Sequence, residues 1–245
     1  MASYKKFALV TGGSRRIGAS ISRRLHRSGI NIMIHYRHSK DDAVALQSEL
    51  NNIRKNSAFV VQADFLEPES YEYTISETIQ SFGGMDFLIN NASSYYPTKI
   101  GNISLAQWED LISTNLKTPL FLSQCAAAYL KKTKGAIVNI TDAHIQNPKE
   151  GYSVYSIAKS GLSTLTKSLA KELGPDIRVN AVAPGAIIWP DNKQEFDKIY
   201  RENVINNTAL RRMGEPEDVA KAVEYLLLNA PFVTGETINV DGGSW

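Results

Sequence analysis

Short apolar runs alternate with longer amphipathic stretches along the whole chain. Runs of strand length lie at Phe7–Thr11, Asn31–Tyr36, Ala58–Ala63, Phe87–Asn90, Ala136–Thr141, Arg178–Ala183 and Thr237–Val240. Helical patterns begin near Arg16, Lys40, Pro68, Leu105, Thr118, Ser153 and Glu217. Several strands are apolar throughout rather than at every second position. That suits a parallel sheet covered on both faces, and the alternation of strand and helix makes it doubly wound. The predicted fold is α/β, a doubly wound parallel sheet flanked by helices, in one domain spanning residues 1–245. Ligands of such a sheet bind beyond the carboxyl ends of its strands. The polar stretch Asp191–Asn207 reads as a helical insertion over that end, part of a substrate lid near 186–210. No internal repeat, low-complexity tract or linker interrupts the pattern.

Composition narrows the function classes. With 43% hydrophobic residues among 245, the chain can bury a large core. A formal net charge of +2 gives no reason to expect nucleic acid or an anionic membrane as a partner. No apolar run approaches membrane-spanning length and no signal peptide precedes the first strand, so a cytoplasmic location is expected. The one cysteine, Cys125, falls in the apolar stretch Leu120–Leu130, where a buried inert thiol is expected.

Two motifs carry chemistry. Phe7-Ala8-Leu9-Val10 leads directly into Thr11-Gly12-Gly13-Ser14-Arg15-Arg16-Ile17-Gly18, the order strand, glycine turn, helix. Glycines let the backbone turn tightly and approach a pyrophosphate, toward which the helix N-terminus presents partial positive charge. Farther on, Tyr155 and Lys159 stand one helical turn apart. A neighbouring cation that favours phenolate draws a tyrosine pKa down from about 10 and makes a usable general acid. Alone, that pair also fits a solvated helix face. Together with Asn90-Asn91-Ala92 after the fourth strand, Asn115 in a helix and Pro184-Gly185 after the sixth strand, the sequence resembles the short-chain dehydrogenase/reductase family over almost its whole length. The turn departs from the family pattern in carrying Arg16 in place of the middle glycine. The resemblance implies a Rossmann-like fold and a nicotinamide cofactor. Gly12, Ser14, Arg15, Arg16, Ile17 and Gly18 would hold it from the turn, Asn91, Ala92 and Ser93 from the fourth strand's loop, and Tyr155, Lys159, Pro184 and Gly185 from farther along.

The end of the second strand indicates which nicotinamide. An acidic residue there favours NAD, whereas a cation accommodates the 2′-phosphate of NADP. The segment His35-Tyr36-Arg37-His38-Ser39 has no carboxylate before Asp41. NADP(H) is therefore expected, with Arg37 and Ser39 on the phosphate and His35 and Tyr36 beside them. Asp64 and Phe65, past the third strand, resemble the family's adenine contacts, though Asp64 also fits a helix N-cap.

A second departure concerns the substrate. Most family members place a serine at the end of the fifth strand, where its hydroxyl donates to a substrate carbonyl. Here that position is Asp142. An ionised carboxylate only accepts hydrogen bonds and repels a developing oxyanion, which disfavours simple carbonyl reduction. The resemblance then narrows to the pteridine reductase branch, on Arg16, on His35 to Ser39, on the loop Asn90 to Thr98 and on the trio Asp142, Tyr155 and Lys159. It implies hydride transfer from NADPH to a C=N bond of a dihydropterin or dihydrofolate, with the proton from Tyr155 or Asp142. Lys159 would hold the nicotinamide ribose and depress the Tyr155 pKa. Asn115 would kink its helix and position a water. Tyr95, typically Phe in the parasite enzymes, would stack on the pterin; Ser93 and Arg16 would bind its edge.

Other residues carry weaker expectations. Trp189 fits closing the pocket or anchoring the lid. His26 and His38 are expected on the surface, while His144 faces the pocket without a metal-like spacing, so no metal is expected. The ending Asp241–Trp245 resembles one that packs across a subunit interface, and a homotetramer follows from the resemblance. Two alternatives remain: an NADPH-dependent carbonyl or 3-oxoacyl thioester reductase, and a non-catalytic NADP(H)-binding sensor.

Overall fold

The strands assemble in the order β3-β2-β1-β4-β5-β6-β7, all parallel. They are β1 (Phe7–Val10), β2 (Asn31–Tyr36), β3 (Ala58–Gln62), β4 (Phe87–Asn90), β5 (Ala136–Ile140), β6 (Arg178–Pro184) and β7 (Thr237–Val240). This computed structural model describes residues 5–188 and 198–244. Trp189 and residues 191–197 of the expected insertion lie outside them.

Successive side chains of a strand point to opposite faces, and here both faces are apolar. Ala8, Val10, Ile32, Ile34, Phe87, Ile89 and Val138 pack against α1 (Arg16–Arg27), α2 (Lys40–Ile53) and α8 (Pro216–Leu228). Leu9, Met33, Leu88, Ile137 and Val179 pack against α3 (Ser70–Phe82), α5 (Thr118–Thr133) and α6 (Ser153–Leu173). Continuous apolar strands are the consequence, as their reading as a two-sided parallel sheet requires. The third helix begins at Ser70 rather than near Pro68, and α7 (Lys198–Asn206) falls within the expected insertion.

Helix α4 (Leu105–Ile112), started by a Ser104/Gln107 capping box, does not run straight into α5. A π-helical turn, Ser113–Lys117, intervenes. Buried Asn115 stitches it to the loop after β4: its Nδ2 donates to Leu111 O (3.0 Å) and Ser94 O (2.9 Å), and its Oδ1 accepts from Ser93 Oγ (2.7 Å). The widened turn is the irregularity that such insertions make at functional sites.

One surface expectation is corrected. His26 is 0% exposed, its Nε2 2.7 Å from Ser57 Oγ, and burial lowers its pKa to about 4. The reason is helical spacing: Gly18, Ser22 and His26 follow at four-residue intervals along the buried face of α1. His38 is exposed. Cys125 is only partly buried. Among the described residues, no helix is long and apolar enough to cross a membrane.

Candidate active site

A cleft of about 1000 Å³ lies beyond the carboxyl ends of the strands, running from the glycine turn to Ile187, Ile188, Val204 and Met213. Its floor is built by side chains that bond the backbone. Thr11 Oγ1 accepts from the amides of Asn91 (2.9 Å) and Ala92 (3.0 Å), and Asn91 Nδ2 donates to Thr11 O (2.9 Å) and Gly12 O (3.0 Å). The loop after β4 thus clamps the turn after β1. Gly12 has φ +57°, a left-handed conformation that costs glycine little. A Cβ on Gly18 would stand 2.1 Å from Gly12 O, so the first turn of α1 can approach the glycine turn only without one. Arg16 is also left-handed (φ +49°), which for a residue with a Cβ costs roughly 1–2 kcal/mol.

His35 sits beneath this floor. Its Nδ1 accepts from the Gly12 amide (3.1 Å), which assigns the proton to Nε2, 3.1 Å from Ala63 O, and its ring stacks on Phe65 at 4.1 Å. Burial holds its pKa down at about 4, so it supports the turn as a neutral ring. Tyr36 is buried beside it. Ser14 and Ser39 are linked through their hydroxyls at 2.7 Å. The Arg37 guanidinium spans two carboxylates, Asp64 (2.9 Å) and Asp110 (3.4 Å), while exposed Arg15 pairs with Asp42 (2.8 Å). At the opposite wall Gly185 donates its amide to Val240 O (3.0 Å) after Pro184.

Asp142, Tyr155 and Lys159 meet at the other end. Asp142 Oδ2 accepts from Tyr155 Oη (2.7 Å); its Oδ1 accepts from the His144 amide (2.7 Å) and lies 3.2 Å from His144 Nδ1. Burial pushes the carboxyl pKa up, but the bonds from His144 and Tyr155 outweigh it and leave it below its ordinary value. Lys159, buried, donates to Ile140 O (2.8 Å), and burial lowers its pKa to about 8. Burial first and the Asp142 charge second raise Tyr155 well above its ordinary value. The expectation that Lys159 depresses this pKa is therefore corrected for the protein as described: the ammonium lies 5.9 Å from the Tyr155 ring centre, whereas the carboxylate touches its hydroxyl. Tyr95 is 45% exposed, stacked on Tyr152 (4.7 Å) and edge-on to Tyr155 (4.8 Å).

A chain of buried amides supports the site. Asn90 Nδ2 donates to Asn139 Oδ1 (2.8 Å), and Asn139 Nδ2 to Thr166 Oγ1 (2.9 Å), tying β4, β5 and α6 together in the core. The signal was a lone amide in the apolar run of β5.

The model of the family described as enoyl-(acyl carrier protein) reductase matches residues 12–244. A 3-oxoacyl-(acyl-carrier-protein) reductase from Staphylococcus epidermidis is 34% identical over 243 residues, 98% of this chain and 99% of the relative. A pteridine reductase 1 from Leishmania tarentolae is 34% identical over 277 residues, 96% of this chain and 95% of the relative. The crystal structure of a blue fluorescent protein from a metagenomic library in complex with NADPH superposes with a TM-score of 0.90 at 32% identity, covering 97% of both chains.

These relatives overturn the pteridine reductase expectation. Matches to 3-oxoacyl-(acyl-carrier-protein) reductases recur at 34–35% identity over almost the full chain and favour the carbonyl alternative. Asp142 is not a bare anion facing the cleft: both of its oxygens already accept hydrogen bonds from protein groups. The chain belongs to the short-chain dehydrogenase/reductase family.

Proposed function

We propose that the protein is an NADPH-dependent reductase of 3-oxoacyl thioesters. The observation that carries this reading is that Tyr155 and Lys159 both line one end of a cleft whose other end is the glycine turn. Substrate class follows from the recurring 3-oxoacyl-(acyl-carrier-protein) reductases among the relatives and from the apolar wall of Ile187, Ile188, Val204 and Met213, which suits an acyl chain.

The residues fit the cofactor. Gly12 and Gly18 let the glycine turn and the first turn of α1 pack closely on the cleft wall, where helix amides would face a pyrophosphate, and the Ser14 and Ser39 hydroxyls, with Arg37 and Arg15 exchanging Asp64, Asp110 and Asp42 for the phosphate, would hold the 2′-phosphate. When bound, NADPH supplies the hydride. Tyr155 gives its proton to the carbonyl oxygen, turning its hydroxyl away from Asp142 Oδ2. Lys159, anchored on Ile140 O, keeps a cation beside the phenolate that remains. Asn115 and Ser93 fix the loop after β4 against the site. The single domain, the lid near 186–210, a cytoplasmic location and a homotetramer joined through α5 and α6 belong to the same reading.

The direct test is reduction of a short 3-oxoacyl thioester by wild type and by Asp142→Ser. Wild type should form the 3-hydroxy product with NADPH. The serine variant should hold or raise kcat, by up to about tenfold, since its hydroxyl can donate to the carbonyl oxygen. A wild type inert to these thioesters contradicts the reading.

Arg37→Ala tests the phosphate. Charge-assisted bonds of roughly 1.5–3 kcal/mol correspond to a rise of about 10- to 140-fold in the NADPH Kd, with NADH little changed. Equal losses for both cofactors, by fluorescence titration, would show the phosphate bound elsewhere.

A further inference from the structure

Asp142 poses an electrostatic problem for the reaction proposed above. When Tyr155 gives up its proton it becomes a phenolate whose oxygen is 2.7 Å from Asp142 Oδ2. Two anions then face each other, with the Lys159 ammonium 5.9 Å from the Tyr155 ring centre and turned onto Ile140 O. One buried cation for two adjacent anions makes proton loss costly. The same carboxylate also holds the Tyr155 proton, directing it away from a substrate.

A second cation is at hand. The 3₁₀ turn Ala143–Gln146 brings His144 back over the carboxylate that caps it, with Nδ1 3.2 Å from Asp142 Oδ1. The other described charged groups around this imidazole are Asp241, which follows β7, Lys149 on the cleft rim, and Tyr155 and Lys159 across Asp142. The Asp142 carboxylate on the imidazole, the more distant charge of Asp241 and the backbone amide that locks Asp142 make the ring a charge-compensating group for Asp142.

We propose that His144 is a positioning residue for the proton transfer: as an imidazolium against Asp142 Oδ1 it balances the carboxylate, so that Tyr155 can release its proton to the substrate oxygen. This rests on the carbonyl reductase reading. In the step, hydride reaches the carbonyl carbon, the C=O π pair moves to oxygen, and the Tyr155 proton closes the alcohol. The charges left are Asp142 and Tyr155 negative, His144 and Lys159 positive, and the phenolate recovers its proton from water. The hydrogen bond to Asp142 raises the His144 pKa above its ordinary 6.5. The imidazolium is therefore present below that raised value and lost as pH rises through it, and kcat should fall on the same limb.

The experiment is a pH profile of kcat for NADPH-dependent 3-oxoacyl thioester reduction by wild type, His144→Gln, Asp142→Ser and the double variant. His144→Gln should lose about tenfold in kcat, the equivalent of one pKa unit on Tyr155, with KM little changed and the His144 limb flattened. In the Asp142→Ser background the same change should cost nothing. An equal loss in both backgrounds, or a limb that survives in His144→Gln, overturns the proposal. In parallel, the His144 ring protons are titrated by NMR in the cofactor-free protein. The pKa should lie above 6.5 in wild type and drop in Asp142→Asn; a titration indifferent to that change also overturns the proposal. Wild type inert to the thioester with a coupled titration would fail the substrate reading and leave the ion pair standing.

Discussion

Tyr155→Phe is expected to lower kcat for 3-oxoacyl thioester reduction by about 10²–10⁴-fold, the range for loss of a positioned general acid. The argument rests on how little else the change touches. The Tyr155 ring packs with Leu111 and Val154, and phenylalanine fills the same space. Only the hydroxyl, which donates to Asp142 Oδ2, disappears. Fold and NADPH affinity should survive, the latter read by fluorescence titration, so that the loss falls on kcat and not on binding. A variant that binds NADPH normally and keeps wild-type kcat would take the proton donor elsewhere, leaving Tyr155 a packing residue.

Gly18→Ala should damage binding and stability together. The added methyl would stand 2.1 Å from Gly12 O, 2.7 Å from Asn91 Nδ2 and 2.9 Å from the Gly12 carbonyl carbon. None of these is free to yield: Gly12 is tied through its amide to His35 Nδ1 and through its carbonyl to Asn91 Nδ2, which also bonds Thr11 O. Helix α1 must move off the turn, or the turn must give up its clamp. Overpacking of this kind costs about 1–3 kcal/mol, a fall of roughly 2–12 °C in Tm for a chain this long. The NADPH Kd should rise more than about tenfold, since a shift of the helix start takes its amides away from the pyrophosphate. Alanine is the better helix former by roughly 1 kcal/mol. An unchanged or raised Tm with unchanged NADPH affinity would therefore show that the turn relaxes and that its close approach does not matter.

The architecture was legible because its signals are local. Every strand of the sheet coincides with an apolar run visible in the sequence, and the boundaries move by one residue at most. The glycine turn, the Asn90-Asn91-Ala92 loop and the Tyr155/Lys159 spacing were equally visible, and the structure brings them to one cleft. What sequence could not show depends on which side chains meet. Asp142 read as an isolated charge because its partner His144 enters through a tight turn that spacing does not announce. The Tyr155 pKa is hidden for the same reason: Lys159 is adjacent along the helix, yet the hydroxyl bonds the carboxylate that follows β5. His26 was misplaced by polarity, although its register with Gly18 and Ser22 marks the buried face of α1. Arg37 was legible as a cation but not as one spanning Asp64 and Asp110.

Substrate choice was the least legible step, since it was drawn from one residue type at one position. A carboxylate at 142 opposes an oxyanion when it stands alone in a low dielectric. The structure instead places the His144 imidazole 3.2 Å from it.

Substrate preference is read from kcat/KM for NADPH oxidation across a panel: a short 3-oxoacyl thioester, a simple ketone, 7,8-dihydrobiopterin and dihydrofolate, with products identified by mass spectrometry. The 3-oxoacyl thioester is expected as the preferred substrate and the 3-hydroxyacyl thioester as its product, with NADPH strongly favoured over NADH. Turnover confined to the dihydropterins, with the thioester untouched, would contradict this expectation.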